Sequence, residues 1–191
     1  MEPLKPEVIY SYEDYASWDE DERIELINGR PFMQAAPSIA HQRVSGRIFG
    51  QLIQYLDGKT CEPFCAPVAV QLDANSRTPD SEVKTVVEPD IIVVCDPKKL
   101  KKRNCVTGAP DLVIEVLSPS TNRHDRLVKY NLYWRAGVRE YWLVDPVGKW
   151  VQVFLLENGV FVQKTVGYEG DAVKVNILDD CTIDFGKVFA E

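Results

Sequence analysis

Two acidic residues lie beside or within apolar runs that are typical of buried strands. Asp90 directly precedes the run Ile91–Val94, and Glu115 lies inside the run Leu112–Leu117. A carboxylate in such surroundings costs free energy to bury unless a metal ion, a cation or a proton compensates its charge. Two acids on neighbouring strands can share one divalent cation, the arrangement found in many phosphodiester-cleaving sites. The alternative is that both acids lie at strand ends, where water or arginine side chains satisfy them.

Strand geometry limits which acids can act together. Asp111 and Glu115 share one face of their strand, but four residues at ~3.3 Å each separate them by about 13 Å. Oxygen ligands lie only ~2.1–2.5 Å from a hard cation, so these two acids cannot share one ion. Asp90 belongs to another strand, and paired strands lie only ~4.8 Å apart. The sequence therefore predicts that Asp90 and Glu115 bind Mg²⁺ or Mn²⁺ together, and that Asp111 marks the start of its strand.

A lysine close to such an ion could stabilise the negative charge that develops on a phosphate during hydrolysis. Lys129 is the candidate, because it lies on the helix predicted to follow the second acidic strand. On that helix it shares a face with Asp125 and Tyr133, opposite Leu127 and Trp134, which we expect to pack on the sheet. The alternative is that Lys129 is an ordinary exposed lysine.

Hydrophobic periodicity and turn residues predict the elements that position these side chains. Asn28-Gly29 between apolar segments predicts a hairpin, and Val44, Ile48 and Leu52 recur at helical spacing and are expected to face the sheet. The predicted elements are a helix at 11–18, a hairpin at 23–33, helices at 40–57 and 123–136, and strands near 66–72, 90–95, 111–117, 140–145, 150–156, 160–166 and 172–178.

The order of these elements predicts an α/β (α+β) fold that ends in a β-meander. The strands near 90–95 and 111–117 should be adjacent, and segment 73–88 should be a loop. Trp142 should be buried in a central strand. The length of 191 residues predicts one domain, residues 1–191.

The distribution of charge is more informative than its total. The formal net charge is −7, but residues 98–149 contain 11 lysines and arginines against 5 acids. A protein that is acidic overall can still bind a polyanion on one basic face. The candidate contacts are Lys101, Lys102, Arg123 and Arg126. The alternative for the run 98–103 is a solvated, lysine-rich loop.

Composition excludes several classes of protein. No apolar run approaches the ~20 residues that span a bilayer, and residues 1–7 do not resemble a signal peptide. The five cysteines are odd in number and form no framework. We therefore predict a cytoplasmic protein, without a membrane partner, whose cysteines are free thiols rather than zinc ligands.

The chain resembles the Uma-two family of endonucleases, a branch of the PD-(D/E)XK nuclease superfamily. Three segments carry the resemblance, which weakens after about residue 155. They are Glu25-Leu26-Ile27-Asn28-Gly29 followed by His41; Glu88-Pro89-Asp90-Ile91; and Gly108 to Thr121, continuing through Lys129 and Tyr133 to Gly137-Val138-Arg139-Glu140-Tyr141-Trp142. The resemblance implies a restriction-endonuclease-like core, a mixed β-sheet flanked by helices, and metal-dependent hydrolysis of phosphodiester bonds, with DNA as the expected substrate.

The resemblance also assigns roles to individual residues. Asp90 and Glu115 correspond to the acids of the superfamily's first and second motifs. The lysine expected two positions after Glu115 is replaced by Leu117, and Lys129 resembles a displaced substitute. Glu25 would add a carboxylate to the ion, or else pair with an arginine in the hairpin. His41 would contact phosphate or move a proton, or else bond to backbone at the start of its helix.

Two functions from different classes remain open at this point. The first is an Mg²⁺-dependent DNA endonuclease, which the set of Asp90, Glu115 and Lys129 favours. The second is a nuclease-like module that binds nucleic acid or a protein without catalysis, which Leu117 and the acidic net charge favour. A homodimer is an expectation of the first function, because cleavage of both strands needs two sites.

Overall fold

The computed structural model describes residues 8–18, 23–100, 104–118 and 124–190. The helices are α1 (Tyr12–Tyr15), α2 (Ile39–Leu56), α3 (Tyr130–Ala136) and α4 (Phe185–Phe189), with a 3₁₀ turn at Pro97–Leu100 and a π-helical segment at His124–Lys129. The strands are β1 (Ile24–Ile27), β2 (Arg30–Met33), β3 (Glu62–Cys65), β4 (Ala69–Gln71), β5 (Val86–Val87), β6 (Ile91–Val94), β7 (Cys105–Thr107), β8 (Leu112–Val116), β9 (Glu140–Asp145), β10 (Trp150–Glu157), β11 (Val160–Tyr168), β12 (Ala172–Lys174) and β13 (Thr182–Asp184).

The central sheet has the strand order β11-β10-β9-β8-β6-β3. β6 and β8 pair antiparallel, which confirms that the strands predicted near 90–95 and 111–117 are adjacent. β8 and β9 pair parallel, so the sheet is mixed, as predicted. Trp142 in β9 is completely buried, again as predicted.

Helices cover both faces of the central sheet. On one face, Val44, Ile48 and Leu52 of α2 pack in one apolar cluster with Ile114 and Trp142. On the other face, Tyr133 of α3 packs with residues of β6, β8 and β9 such as Val113. Because side chains alternate along a strand, Ile114 of β8 faces one layer and its neighbour Val113 faces the other.

The helix after β8 differs from the prediction in shape and in its buried face. It begins as the π-helical segment and becomes α-helical only at Tyr130. Leu127, expected to face the sheet, is 55% exposed, whereas Asp125, Lys129 and Tyr133 are buried. The prediction that Leu127 packs on the sheet was therefore wrong, because a pattern of apolar residues does not reveal that carboxylates buried at the sheet pair with the lysine. Trp134, the other residue expected to pack, is partly buried against the apolar cluster that contains Tyr133.

A second sheet has the order β2-β1-β5-β4-β7 and brings the N-terminal hairpin to the core. The predicted hairpin is confirmed, and Asn28 and Gly29 take positive φ angles of 51° and 76°, as the tight hairpin turn requires. The predicted strand at 66–72 is confirmed as the shorter strand β4, the preceding strand β3 was not predicted, and the predicted loop at 73–88 contains β5.

The C-terminal region is the predicted meander followed by elements that the sequence pattern did not indicate. β9, β10 and β11 pair antiparallel in succession. The strand predicted at 172–178 ends at Lys174, where it pairs with β13, and α4 follows. Phe185 and Val188 of α4 are buried in the same cluster as α2.

The prediction that all cysteines are free thiols was wrong. Cys61 and Cys95 form a disulfide, while Cys65, Cys105 and Cys181 are free. Glu62 pairs with Val94 across β3 and β6. Continuing that register by one residue places Cys61 opposite Cys95, although 34 positions separate them in the chain. Spacing along the sequence could not reveal a cross-strand neighbour.

The part of the chain that the structure describes contains no helix long and apolar enough to cross a membrane.

Candidate active site

Asp90 and Glu115 face each other across two neighbouring strands. Ile91 pairs with Ile114 in the β6–β8 ladder, so the next step of the register sets Asp90 opposite Glu115 and on the same face of the sheet. The backbone N–H of Val116 donates to Asp90 Oδ2 at 2.8 Å. The backbone N–H of Asp90 approaches Glu115 Oε2 at 3.5 Å. The strand pairing itself therefore fixes both carboxylates at one end of the ladder.

The ammonium group of Lys129 points toward the acids at the end of the central sheet and not into solvent. Its Nζ lies 2.9 Å from Glu115 Oε1 and 2.9 Å from Glu25 Oε1. Asp125 Oδ1 is 3.8 Å away on the preceding turn. Only 3% of Lys129 is exposed, so the reading as an ordinary surface lysine is wrong. The contact that sequence reasoning expected between Lys129 and Glu115 is confirmed.

The backbone around Lys129 is locally unusual. Lys129 is the last residue of the π-helical segment His124–Lys129 and the first residue before α3. Tyr141 in β9 donates its hydroxyl hydrogen to the carbonyl of Asp125 at 3.1 Å, which ties this segment to the sheet. Single π-helical turns inside helices are often found at functional sites. Here the wider turn presents Asp125, Lys129 and Tyr133 on one buried face.

Glu25 and Glu88 come to the site from the second sheet and the segment before β6. Glu25 Oε1 accepts the backbone N–H of Glu88 at 2.9 Å in addition to the Lys129 ammonium. Tyr15 donates to Glu88 Oε1 at 2.8 Å. The other oxygen of Glu88, Oε2, is buried and has no hydrogen-bond partner within the described residues. The hairpin thus contributes a carboxylate to the buried lysine.

His41 lies on the first turn of α2, beside Asp90. Its Nε2 is 3.0 Å from Asp90 Oδ2, and its backbone N–H donates to the Ser38 hydroxyl that caps the helix. His41 therefore bonds to the cap at the start of its helix, and its ring also contacts Asp90, while its role toward phosphate or a proton stays a prediction. Because a carboxylate oxygen accepts, Nε2 donates, and Nδ1 is buried without a partner in the part of the chain that is described.

Electrostatics at the site are dominated by acids that outnumber the cations. Burial, together with Asp125, Asp90 and Glu25, raises the pKa of Glu115 to about 8, although the Lys129 ammonium opposes this shift. Burial lowers the pKa of Lys129, but Glu115, Glu25 and Asp125 outweigh burial and hold that pKa well above its usual value. Lys129 is therefore charged at neutral pH, and Glu115 sits where added positive charge would be strongly stabilised.

Three residues at the site were not assigned to it from the sequence. Tyr133 donates to Glu115 Oε1 at 2.6 Å, and burial raises the pKa of its hydroxyl well above the usual range. Asp125 and Glu88 complete the acidic surroundings. The spacing of Asp125, Lys129 and Tyr133 at every fourth position was the available indication, since such residues share one helix face.

Of the four basic residues predicted to bind nucleic acid, the structure describes Arg126. Lys101, Lys102 and Arg123 lie outside the described residues. Arg126 lies over the Trp150 ring at 4.9 Å and approaches Gln152 Oε1 at 3.4 Å. Lys99 donates to the Ala109 carbonyl. A role for these residues in substrate binding stays a prediction.

A cavity of about 230 Å³ gives access to the charged cluster. His41, Asp90, Glu115 and Lys129 line its floor, and the turn at Pro146–Val147 lies on its rim. The buried acids are therefore reachable from outside, which purely structural ion pairs do not need.

A model of the Uma2 family, described as "Putative restriction endonuclease", matches residues 12–185. The protein belongs to the Uma2 family. This is the Uma-two family of the sequence analysis, and the match extends well past residue 155, where the resemblance had weakened.

Relatives and structures agree with this membership. An uncharacterized protein of Synechocystis sp., slr1290, is 32% identical over 155 residues, which are 80% of this chain and 77% of the relative. The crystal structure of a "putative nuclease belonging to DUF820" from Anabaena variabilis superposes with a TM-score of 0.74 at 16% identity, covering 94% of this chain and 97% of that one. The restriction-endonuclease-like fold implied by the sequence is confirmed, and the Uma2 family supports a nuclease function.

Proposed function

We propose that this Uma2 protein is a metal-dependent endonuclease that hydrolyses phosphodiester bonds in DNA. Asp90 and Glu115 would hold Mg²⁺ or Mn²⁺, and Lys129, Glu25 and His41 would complete the catalytic site. One observation carries the proposal: the ammonium of Lys129, from a helix, is buried against Glu115 and Glu25 at the floor of an open cavity. Lys129 would thus supply at Glu115 the positive charge that the superfamily pattern takes from a lysine two positions after Glu115, where this chain has Leu117.

The oxygen donors of the site decide whether a hard divalent ion fits there. Within the described residues, no group of three His, Cys, Asp or Glu side chains is arranged to hold a metal. Mg²⁺ nevertheless tends to keep several waters and to bind one or two carboxylates. Asp90 uses only Oδ2 in its hydrogen bonds within the described residues, and 13% of its side chain is exposed. Oxygen donors and surplus negative charge fit Mg²⁺ or Mn²⁺ better than zinc.

When bound, the ion would polarise a phosphoryl oxygen and lower the pKa of the attacking water. The residues of the chain would orient the reacting groups. Lys129 would stabilise negative charge on the phosphate, because a buried cation acts strongly in a site of low dielectric constant. His41 would hold Asp90 through Nε2 and would contact the phosphate or move a proton.

The proposal includes a cytoplasmic protein of one domain that acts on both strands as a homodimer. The competing candidate is a binding module without turnover. The raised pKa of Glu115 favours that candidate in one respect, because a protonated carboxyl group is a poor ligand for a metal.

Conversion of supercoiled plasmid DNA to nicked and linear forms tests the proposal. We expect cleavage with Mg²⁺ or Mn²⁺, no cleavage with EDTA, and none by Glu115→Gln. Asp111→Asn is the matched control, because Asp111 is an acid of the same strand region that pairs with Arg139 and not with Lys129. Wild-type protein that binds DNA but never cleaves it with either ion would establish the binding module instead.

A further inference from the structure

A second cavity, of about 320 Å³, opens beside the catalytic one. It lies between α2 and the turn Cys65–Pro67 that connects β3 to β4. Arg23, Pro37, His41, Glu88 and Asp90 line both cavities. The two spaces therefore adjoin at these residues, so one ligand can extend from the first cavity into the second.

The walls of this second cavity suit a flat, partly polar ring. Phe49 and Pro67 supply apolar surface, and Gln42 and Ser45 supply side chains that donate and accept hydrogen bonds. The volume lies at the low end of the ~300–1,000 Å³ that small-molecule pockets span. Nucleobases combine a stacking face with a polar edge, and enzymes that expose a base hold it between apolar walls with polar groups at its edge.

Polar atoms at the junction also lack partners. His41 is 8% exposed, and its Nδ1 has no hydrogen-bond partner in the described structure. Buried polar atoms without partners are costly, so their presence at a cavity wall is consistent with a ligand that completes them. Arg23 lies at the same junction and can meet a phosphate group of the ligand.

We propose that this cavity receives the base of the nucleotide next to the cleaved phosphate, so that the substrate is engaged with that base unstacked. The inference rests on the proposed nuclease function and specifies its substrate. Single-stranded DNA, or a duplex whose base can leave the stack, would then be cut in preference to rigidly stacked duplex, because the cost of unstacking is lowest there.

Gly46 offers a direct way to close the cavity. It lines the space, and a Cβ placed on it would meet no atom within 4 Å. Gly50, one turn further along α2, has equally open surroundings but does not line the cavity. Gly46→Leu and Gly50→Leu are therefore matched variants, since both replace a helical glycine with a good helix former.

The test uses single-stranded oligonucleotides with the cleavage position mapped first, and then an abasic site on each side of it. We expect an abasic site on one side to slow wild-type cleavage about tenfold or more, the effect of losing one base–aromatic contact. On the complete substrate, Gly46→Leu should cleave more slowly than wild type by the same factor. On the abasic substrate, Gly46→Leu and wild type should cleave at equal rates. Gly50→Leu should behave as wild type on both.

A second measurement separates this inference from the nuclease function. Oligonucleotides with 2-aminopurine at the same position should brighten on binding to wild type in Ca²⁺, and less on binding to Gly46→Leu. Normal cleavage with identical results for Gly46→Leu, Gly50→Leu and the abasic substrate would overturn the base site and leave the nuclease intact. Wild-type protein that neither binds nor cleaves any substrate would overturn both.

Discussion

Glu115 and Glu140 are buried carboxylates on two paired strands, β8 and β9, and they have opposite surroundings. Glu140 Oε1 accepts hydrogen bonds from the indole of Trp142 at 2.7 Å and the amide of Asn176 at 3.0 Å, and Oε2 accepts from the backbone of Ile177 at 2.9 Å. All these donors are neutral. Glu115 instead contacts a lysine and a tyrosine, and other acids crowd it.

The comparison contrasts a structural acid with the candidate for a functional one. Glu140 is completely buried, and both of its oxygens have partners that hold the C-terminal segment against the sheet. Glu115 borders a cavity, the backbone N–H of Asp90 approaches its Oε2 at 3.5 Å, and the pKa of its carboxyl group is raised to about 8. Burial alone therefore does not indicate a catalytic role, whereas burial beside a cavity with a perturbed pKa makes an acid a candidate for one.

Removing the cation from the Glu115 site should have the largest effect. Lys129→Met keeps the apolar stem and deletes the charge, so we expect cleavage to fall by at least about 100-fold, the loss typical of one electrostatic donor. Lys129→Arg should restore little, because a planar guanidinium does not replace a compact ammonium. Plasmid nicking measures both variants.

Lys164→Met is the control, because Lys164 is an exposed lysine that pairs with Glu157. Circular dichroism should show each variant folded. Equal cleavage by wild type and folded Lys129→Met would remove Lys129 from the catalytic site.

Removing the Glu140 carboxylate should act on stability instead. Glu140→Ala leaves the buried indole N–H of Trp142 and the partly buried backbone N–H of Ile177 without this acceptor, and we expect the free energy of unfolding to drop by about 2–4 kcal/mol. Urea denaturation followed by tryptophan fluorescence measures the change. Glu140→Gln, which keeps one acceptor oxygen, should lose less. A loss below about 1 kcal/mol in Glu140→Ala would mean that the C-terminal segment does not depend on this acid.

Removing the Glu115 carboxylate should change the free energy of unfolding much less than removing the Glu140 carboxylate does. Glu115→Gln relieves repulsion with Asp125, Asp90 and Glu25, while Lys129 keeps Glu25 as a partner. We expect the free energy of unfolding to stay within about 1 kcal/mol of wild type, since functional sites often sacrifice stability. A loss as large as that of Glu140→Ala would make Glu115 a structural acid and end the contrast.

The smallest expected effect concerns the basic run 98–103. If Lys101 and Lys102 contact phosphates, replacing both with glutamate should lower the slope of log affinity against log salt by about 1 for each lost contact. Fluorescence anisotropy of labelled DNA from low to moderate salt measures the slope. An unchanged slope would mean that the run 98–103 is a solvated loop without contact to DNA. Lys164→Glu, which changes a lysine elsewhere on the surface, is the control.

Much of the fold followed from local patterns. The Asn28-Gly29 turn, the helical spacing of Val44, Ile48 and Leu52, and the apolar strands on either side of the acids were all predicted because backbone preferences and alternation act over a few residues. The elements after Lys174 were not predicted, since β13 and α4 depend on packing against distant residues.

The sequence alone identified Asp90, Glu115 and Lys129 as candidates for the site, and strand spacing showed that Asp111 and Glu115 lie too far apart to share one ion. Glu25 and His41 were added by the resemblance to the family. Only the tertiary structure decided that Lys129 is buried, that Tyr133 and Glu25 meet it at Glu115, and that Cys61 bonds to Cys95. Each of these contacts joins segments far apart in the chain. Their geometry depends on strand register and helix placement, which no local pattern of residues encodes.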